Sequence, residues 1–566
     1  MNIVQVVHGL PPQERAGVEI LTLELSRALQ ARGHKVTIIA RTSAPEREEF
    51  SLQEEQDESG LRIVRIVNNY TWMTSFRLHY DNPFFDATFR RLLDQCGADI
   101  VHFQHVQHLS ASLIPSVSSL GYPTLLGLHD FFFACHLIQF IDRADRLCPG
   151  PQRGERCVAC LHDLASAEAA RHRFAFMARV LQIPQRVIVP SAFLAQRMTD
   201  EFPFLRDRLQ VIAYGLPLPS GPALDRRAQP ETLNDTPGAP VLSQSPRQPL
   251  RLVYVGVLLP HKGAHVLIDA LKGISADRVH ASLYGAEVAA RRAYADRLRE
   301  DAAGLSVHWG GVYDRAELQA ILAEHDVLVL PVIWEETFSV VIREALQAGL
   351  PVIAARRGAL PEIIEDGRNG LLFEPEDADD LRRCVRRLLD EPGLLDRLRT
   401  DRFVWRDADA YAQDVEQTYE AVLGQVGHRP AQLDRGRSWP EERWQRWQEL
   451  AEERERALQE QRAWTDELEK GKTWLEEQRA NWQELAQERE RALQEQRAWT
   501  DELEKGKTWL EEQRNNWEKI ARQHGEQAAH WQAQTRRWQE SFWGRVCIRL
   551  KLVKPVREFP VKAEKR

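Results

Sequence analysis

Glu336-Thr337-Phe338-Ser339-Val340-Val341-Ile342-Arg343-Glu344-Ala345 lies between two apolar strand patterns, Val327–Pro331 and Leu350–Ala355. The stretch is therefore expected to form a turn followed by the start of a helix. One glutamate falls in the turn and the other on the early helix, with seven residues between them. Backbone N–H groups at the start of a helix attract phosphate, and carboxylates accept hydrogen bonds from sugar hydroxyls. The junction thus suits a ligand that joins phosphates to two sugars.

Strand patterns alternate with helical patterns along the chain in two series, which predicts parallel α/β sheets. The first series comprises residues 2–8, 35–40, 62–67, 100–103, 123–128 and 187–189. The second comprises residues 250–256, 281–284, 307–309, 327–330 and 351–354. We therefore predict two Rossmann-like domains, over residues 1–216 and 250–404. A segment rich in Pro, Gly, Ser and Gln, residues 217–249, is predicted to be a linker or a surface excursion.

Bulk properties exclude several classes of protein. The chain has 566 residues and a net charge of −8, which offers no general attraction to nucleic acid. The sequence contains no apolar run long enough to span a bilayer, and its first residues do not resemble a signal peptide. A cytoplasmic enzyme is the expectation, with its seven cysteines unlinked by disulfides.

Together with its flanks Gly358–Glu362 and Asp366–Leu371, the stretch 336–345 resembles the E-x7-E signature of retaining glycosyltransferases of family 4. The resemblance covers about residues 1–424 and implies the GT-B fold, with a final helix over 405–424 that crosses back onto the N-terminal domain. It implies a nucleotide-sugar co-substrate, a UDP- or GDP-sugar, and no required cofactor. The acceptor would be a saccharide, a lipid-linked molecule or a protein, in the synthesis of a surface polysaccharide or glycoconjugate.

The resemblance also implies roles for individual residues of the donor site. Lys262 would contact the donor diphosphate as a point charge. Glu344 would accept the ribose hydroxyls, and Glu336 would lie beside the transferred sugar as a catalytic residue. The backbone amides of Phe338 and Ser339 would face the diphosphate and the sugar. The alternative is a surface lysine and incidental glutamates on a solvated helix face.

One element of the donor site departs from the family pattern. The run Gly256–Gly263 resembles the family's G-R-L-x-x-x-K-G element, but Val257 stands at the Arg position. Half of the usual cationic clamp on the diphosphate is therefore missing. His261, Arg356 or Arg357 is expected to compensate.

Two elements of the N-terminal domain resemble family motifs less closely. The stretch Ala16–Glu19 resembles the G-G-x-E loop, in which Gly17 would let the backbone approach phosphate closely. His129 resembles the histidine of the T-x-H-[DTS] element, which borders the reaction centre, although Gly127 replaces the Thr. His105 is a weaker candidate for the acceptor cleft. An ordinary helix start and a structural histidine are the alternatives.

Four cysteines, Cys135, Cys148, Cys157 and Cys160, form a separate cluster in the sequence. The spacing of the last two is that of a zinc half-site, and two further thiols would complete a tetrahedron. The first two thiols are widely spaced, so a structural zinc site and buried free cysteines both remain open.

The C-terminal part has a different composition. Residues 447–481 and 482–516 are copies of 35 residues that differ at two positions. Since 35 residues make five heptads, we predict a coiled coil over 441–540, formed with a second copy of the chain or with a partner helix. The tail 541–566 mixes basic and apolar residues. It is predicted either to lie on an anionic membrane surface at the inner face of the membrane or to be a soluble basic tail or a coiled-coil cap.

A different class of function stays open on the sequence alone. The long repeat and the missing Arg at position 257 are compatible with a coiled-coil scaffold that carries a degenerate transferase domain. Within the fold, an epimerase or a phosphorylase is the runner-up. The presence of Lys262, Glu336 and Glu344 favours transfer.

Overall fold

The computed structural model describes residues 1–215 without 15, 72 and 74, residues 249–426 without 400–402 and 405, and residues 441–524. In 441–468 and 520–524, and at 517 and 518, it describes the backbone alone. The predicted linker 217–249, apart from its last residue, the end of the predicted coiled coil and the tail 541–566 lie outside the described residues. The chain divides into two compact units, Met1–Arg454 and Glu455–Arg566.

The N-terminal lobe is a sheet of eight strands with the order β3-β4-β2-β1-β5-β6-β7-β8. Its strands are β1 (Asn2–Val7), β2 (Lys35–Thr42), β3 (Leu52–Gln56), β4 (Arg62–Val67), β5 (Ile100–Phe103), β6 (Thr124–Gly127), β7 (Arg186–Val189) and β8 (Leu209–Val211). Its helices are α1 (Gly17–Ala31), α2 (Pro83–Cys96), α3 (Leu113–Ser119), α4 (Cys157–Leu161), α5 (Ala167–Val180) and α6 (Ala192–Glu201). All pairs are parallel except β3 with β4.

The second lobe is a parallel sheet of six strands with the order β11-β10-β9-β12-β13-β14. Its strands are β9 (Leu250–Val255), β10 (Val279–Tyr284), β11 (Val307–Gly311), β12 (Val327–Leu330), β13 (Val352–Ala355) and β14 (Gly370–Phe373). Its helices are α7 (Ala264–Leu271), α8 (Arg292–Asp301), α9 (Leu318–Ala323), α10 (Val340–Gln347), α11 (Ala378–Asp390) and α12 (Leu394–Arg399). The predicted α/β fold class with two Rossmann-like sheets is confirmed.

The central strands are short and apolar because they are covered on both faces. All four residues of β12 and of β13 are buried. Strands β3, β8 and β14 are absent from the sequence-based prediction. In β3 the pattern Leu-Gln-Glu-Glu-Gln is polar, since this strand lies at the sheet edge and most of it faces solvent.

Helix α13 (Ala408–Val426) follows the second lobe but packs against the first. Its buried residues belong to the same core cluster as Leu21 and Leu25 of α1. Tyr419 of α13 is fully buried, and its hydroxyl accepts a hydrogen bond from Gln5 Nε2 at 2.9 Å and lies 2.8 Å from His102 Nδ1. The chain thus returns to the N-terminal sheet. Trp405, at the start of the predicted closing helix, lies outside the described residues.

The C-terminal extension is a single helix, α14 (Glu441–His524), of 84 residues. At about 1.5 Å per residue it is roughly 126 Å long. Several apolar side chains of the repeat are exposed on it, among them Leu475 (61%), Trp482 (65%) and Leu485 (60%). None of the helices in the described ranges is long and apolar enough to cross a membrane.

Gly263 is predicted to be required for stability. Its φ of 75° lies in the left-handed region, and a Cβ atom there would overlap the carbonyl oxygen of Pro331. Gly349 is a matched control, with φ of 74° and no atom within 4 Å of the place that a Cβ atom would occupy. Gly349→Ala should cost about 1 to 2 kcal/mol for the backbone conformation alone, whereas Gly263→Ala should cost about 2 to 3 kcal/mol more.

Thermal unfolding followed by circular dichroism measures this difference. The midpoint of Gly263→Ala should fall about 5–10 °C below that of Gly349→Ala. Equal midpoints for the two variants would show that the approach of α7 to β12 is looser than the structure indicates.

Candidate active site

The turn between β12 and α10 is held in an unusual backbone conformation. Ser339 at the helix start has φ of 57° and ψ of 97°, in a region that a residue with a side chain adopts at a cost. Arg343 stabilises it, because its guanidinium donates to the carbonyl oxygens of Phe338 and Ser339 and lies 3.3 Å above the ring of Phe338. Burial lowers the pKa of Arg343 to about 9, so the side chain is charged at neutral pH. The turn therefore has a fixed shape.

Lys262 and Glu336 meet at this turn. Lys262 follows β9 and precedes α7, and its Nζ lies 3.5 Å from Glu336 Oε2 and 4.2 Å from the centre of the Trp334 ring. Both charged side chains are mostly buried. The structure thus brings together a cation and a carboxylate from two different βα connections, at the carboxyl ends of the strands where ligands bind in open α/β sheets.

Glu344 is the second glutamate of the signature, and it lies on the inner side of α10. It is buried, and its Oε1 accepts a hydrogen bond of 2.5 Å from Arg315 Nη2. Burial raises the pKa of Glu344, and the charge of Arg315 opposes this shift only in part. A buried carboxylate with one cationic partner can still accept further hydrogen bonds.

The first lobe contacts this turn through polar side chains. Thr337 Oγ1 donates to the carbonyl oxygen of His129 at 2.8 Å, and Ser191 Oγ donates to the carbonyl oxygen of Thr337 at 2.7 Å. The carboxylate of Glu362 accepts hydrogen bonds from the backbone N–H groups of Ala192 and Phe193 at the start of α6. The turn therefore lies at the junction of the two lobes.

His129 lies at this junction, but its ring is enclosed by the first lobe. Its Nδ1 is hydrogen-bonded to Tyr214 Oη, and its Nε2 lies 3.1 Å from Gln104 Oε1. Burial lowers its pKa to about 3, so the ring is neutral. A Cβ atom at Gly127 would lie 2.6 Å from His129 Nε2, so this position leaves no room for a side chain while the ring keeps its place.

The remaining predicted site residues are placed as follows. Gly17 is the first residue of α1 and is exposed, and a Cβ atom there would have no neighbour within 4 Å. Val257 is 38% exposed. Arg356 lies 3.4 Å from Glu374, and Arg357 Nη1 donates to the carbonyl oxygen of Ile333 at 2.9 Å. The predicted compensation for the missing Arg stays a prediction.

Two family models match the chain and together cover both lobes. The model described as Glycosyltransferase Family 4 matches residues 15–218, and the model described as Glycosyl transferases group 1 matches residues 249–391. The chain therefore contains a family 4 glycosyltransferase domain followed by a group 1 glycosyl transferase domain. The second match contains both βα connections of the site, the one that carries Lys262 and the one that carries Glu336 and Glu344.

Curated proteins similar to this glycosyltransferase include a glycogen synthase of Mycobacterium tuberculosis. It is 25% identical over 418 residues, which are 70% of this chain and 88% of that protein. The sulfoquinovosyl transferase SQD2 of Arabidopsis thaliana is 35% identical over 124 residues, which are 20% of this chain. The chain spans about a quarter of the length of that plant enzyme, since the match covers 24% of it.

Solved structures share the fold of the glycosyltransferase. Anabaena HepE, crystallised with UDP and glucose, aligns with a TM-score of 0.51 and 15% identity over 74% of this chain and all of that chain (100%). Sucrose-phosphate synthase from Thermosynechococcus elongatus aligns with a TM-score of 0.52 and 21% identity over 75% and 99% of the two chains. These likenesses confirm the GT-B architecture.

The four cysteines of the N-terminal lobe line one pocket beside α4. All four are free thiols, and burial raises the pKa of Cys157 to about 12. Among the described residues, which include these four, no group of three or more His, Cys, Asp or Glu is placed to hold a metal ion. As placed, the thiols do not fit the structural zinc that their spacing suggests.

Several side chains of the site were missed by the sequence analysis. Arg343 donates a hydrogen bond to the turn, and Arg315 donates one to Glu344. The ring of Trp334 contacts Lys262. Arg343 is adjacent to Glu344 in the sequence, but its pattern is that of a solvated helix face. The role of Arg343 becomes visible only in the structure, where its side chain reaches the carbonyl oxygens of Phe338 and Ser339 in the preceding turn.

Glu344→Gln is predicted to leave the protein at least as stable as the wild type at pH 7. The folded-state pKa of Glu344 lies above the ordinary value of 4.5. The folded state therefore binds more protons than the unfolded state just above pH 4.5, and this group lowers stability as the pH rises through that window. Removing the charge removes the penalty.

Thermal unfolding of Glu344→Gln and wild type between pH 4 and pH 8 checks this. The midpoint of the variant should equal or exceed that of the wild type at pH 7, and any advantage should vanish below about pH 4.5. Glu365→Gln, whose side chain is 61% exposed, serves as the control. A Glu344→Gln midpoint several degrees lower at pH 7 would contradict the sign.

Proposed function

We propose that the chain is a retaining glycosyltransferase that transfers a sugar from a nucleotide-diphosphate donor to a hydroxyl of a saccharide, lipid-linked or protein acceptor. The observation that carries the proposal is the convergence of Lys262, Glu336 and the start of α10 on one turn at the lobe junction. A cation, a carboxylate and a helix start that meet at one turn, with a second carboxylate on the helix that follows, complement a nucleoside diphosphate sugar.

The donor would be held mainly by the second lobe. Lys262 would neutralise the diphosphate, and the amides of Phe338 and Ser339 would donate to its oxygens. The hydroxyl of Ser339 is buried and has no partner among the described residues, so it is available to a ligand. Glu344 would accept the ribose hydroxyls, as the family resemblance implies. Gly17 at the exposed start of α1 would approach the donor from the first lobe.

Transfer with retention needs no protein nucleophile in this arrangement. The bond between the anomeric carbon and the donor phosphate oxygen breaks, the acceptor hydroxyl oxygen bonds to the anomeric carbon from the same face, and the hydroxyl proton passes to the leaving phosphate. Catalysis then consists of positioning and of stabilising the charge on the leaving phosphate. Glu336, 3.5 Å from Lys262, would orient the transferred sugar. His129 would border the reaction centre, with its carbonyl oxygen fixing Thr337.

The nature of the donor base and of the acceptor is supported only by analogy. HepE was crystallised with UDP and glucose, and the catalytic domain of a starch synthase from Arabidopsis thaliana with ADP and acarbose. We propose a UDP- or GDP-sugar as donor and a role in surface polysaccharide or glycoconjugate synthesis. The basic and apolar composition of 541–566 favours action at the inner face of a membrane.

A coiled-coil scaffold with a degenerate transferase domain is the alternative. A site without a function would not be expected to retain residues that reduce the stability of the fold. The chain keeps a left-handed Ser339 and a buried Glu344, each of which has a cost in stability. These features favour the enzyme.

Helix α14 is proposed to pair with the same helix of a second copy or with a partner helix. In a straight helix, 35 residues make about 9.7 turns, so two identical repeats would face directions about 100° apart. In a left-handed supercoil of 3.5 residues per turn they make ten turns, and identical surfaces lie on one side. The exposed Leu475, Trp482 and Leu485 all follow this heptad spacing.

Donor binding tests the proposed site. UDP-, GDP- and ADP-sugars are titrated into the full chain by calorimetry, and release of nucleoside diphosphate is measured. Glu344→Ala and Lys262→Ala should each weaken binding of the accepted donor at least about tenfold, because each removes a charged hydrogen-bonding group. The exposed Lys272, paired with Asp269 and Asp301, provides a control in Lys272→Ala. Unchanged affinity in Glu344→Ala would refute the site.

Removal of the second compact unit tests the helix pairing. A chain ending at Arg454 should have a lower subunit count by multi-angle light scattering than the full chain, with unchanged donor turnover per subunit. An unchanged subunit count would count against pairing through α14.

A further inference from the structure

A second polar cluster lies in the N-terminal lobe and contains none of the side chains that are assigned to the donor above. It consists of two histidine–carboxylate pairs, His8 with Glu19 and His105 with Asp130. His8 Nε2 lies 2.9 Å from Glu19 Oε1, and His105 Nε2 lies 3.1 Å from Asp130 Oδ2. The two imidazole rings contact each other, with their centres 4.5 Å apart.

The cluster lies at the edge of the sheet that faces the donor turn. His8 directly follows β1, His105 comes shortly after β5, and Asp130 comes shortly after β6. The carboxyl ends of these parallel strands meet at one edge. Asp130 is also the neighbour of His129, whose carbonyl oxygen is bonded to Thr337 of the donor turn.

The hydrogen bonds fix the state of each ring. The backbone N–H of Gln107 donates to His105 Nδ1 at 3.1 Å, so His105 carries its proton on Nε2 and donates it to Asp130. Burial, together with the neighbouring His105, lowers the pKa of His8. His8 is therefore neutral at pH 7, and it donates from Nε2 to Glu19, because a carboxylate can only accept.

Two hydrogen-bond acceptors are left over in the first pair. His8 Nδ1 carries a lone pair, and Glu19 Oε2 carries a negative charge. Both atoms are buried and have no partner among the described residues. The Glu19 residue is 2% exposed. Burial acts to raise its pKa, but hydrogen bonding, chiefly from His8, outweighs this and lowers the pKa, so the carboxylate is ionised.

We propose that His8 Nδ1 and Glu19 Oε2 bind two hydroxyl groups of the acceptor, which makes the acceptor a polyhydroxylated molecule at this end. A lone pair and a carboxylate oxygen accept hydrogen bonds and repel anions, so the subsite takes O–H donors and excludes phosphate or carboxylate groups. The pair stands on the lobe opposite Lys262 and Glu344, which leaves it to the acceptor. This assignment rests on the proposed glycosyl transfer.

Capture of the donor sugar by simple alcohols tests the proposal without the natural acceptor. The full chain is incubated with the donor that it binds, in water with glycerol or with propan-1-ol at equal hydroxyl concentration. Glycosides and free sugar are then quantified by mass spectrometry. Glycerol offers several hydroxyls and propan-1-ol offers one. In the wild type, glycerol should be captured about tenfold more than propan-1-ol, which is the contribution of one additional hydrogen bond.

Glu19→Gln and His8→Gln should each abolish the preference for glycerol while donor hydrolysis to free sugar continues. Glu24→Gln is the matched control, since it removes a carboxylate from the same helix at a surface pair with Arg27, and it should keep the wild-type ratio. Thermal unfolding identifies either variant, Glu19→Gln or His8→Gln, if it does not fold. The ratio of glycerol to propan-1-ol capture is then taken from the variant that folds.

Equal capture of the two alcohols by the wild type would overturn the subsite. An unchanged ratio of glycerol to propan-1-ol capture in both variants would overturn it as well. That second result is expected if His8 and Glu19 only hold a structural water. If the wild type binds none of the nucleotide sugars, the proposed function itself is refuted instead. The two failures are therefore distinguishable.

Discussion

One threonine side chain joins the two lobes at the turn on which the site depends. Thr337 donates to the carbonyl oxygen of His129, and its own carbonyl oxygen accepts from Ser191. Because these bonds use both the side chain and the backbone of one residue, they fix the position and the direction of the turn relative to the first sheet. The strained conformation at Ser339 lies two residues further along, where Arg343 donates to the carbonyl oxygen of Ser339.

The two lobes carry opposite chemistry toward this turn. The second lobe presents Lys262 and the start of α10, which suit an anionic donor. The first lobe presents His8, Glu19 and Asp130, which accept hydrogen bonds and suit hydroxyl groups. In the proposed acceptor subsite, such a division would keep an anionic group out of the acceptor side by electrostatic repulsion. It would also give partners to two buried atoms that have none within the described part of the chain, His8 Nδ1 and Glu19 Oε2.

Much of the fold follows from local sequence patterns. The buried strands β1, β9, β12 and β13 read as short apolar runs because both of their faces are covered. The polar edge strand β3 does not, since a strand with one exposed edge and few buried side chains has no apolar signal. The four cysteines show the same limit. Their spacing suggests a metal site, whereas within the described ranges these half-buried thiols around one pocket form no group placed to hold a metal ion.

The sequence alone determined the α/β class, the two Rossmann-like lobes and the family, because strand periodicity and the motif around Glu336 and Glu344 are local properties. It also determined the 35-residue repeat and hence a long helix. The tertiary structure decided which partners those residues meet. Arg315 reaches Glu344 from a different connection, and Glu19 pairs with His8 across the first βα turn. Such contacts depend on how helices pack over the sheet, which is a long-range property that no local pattern encodes.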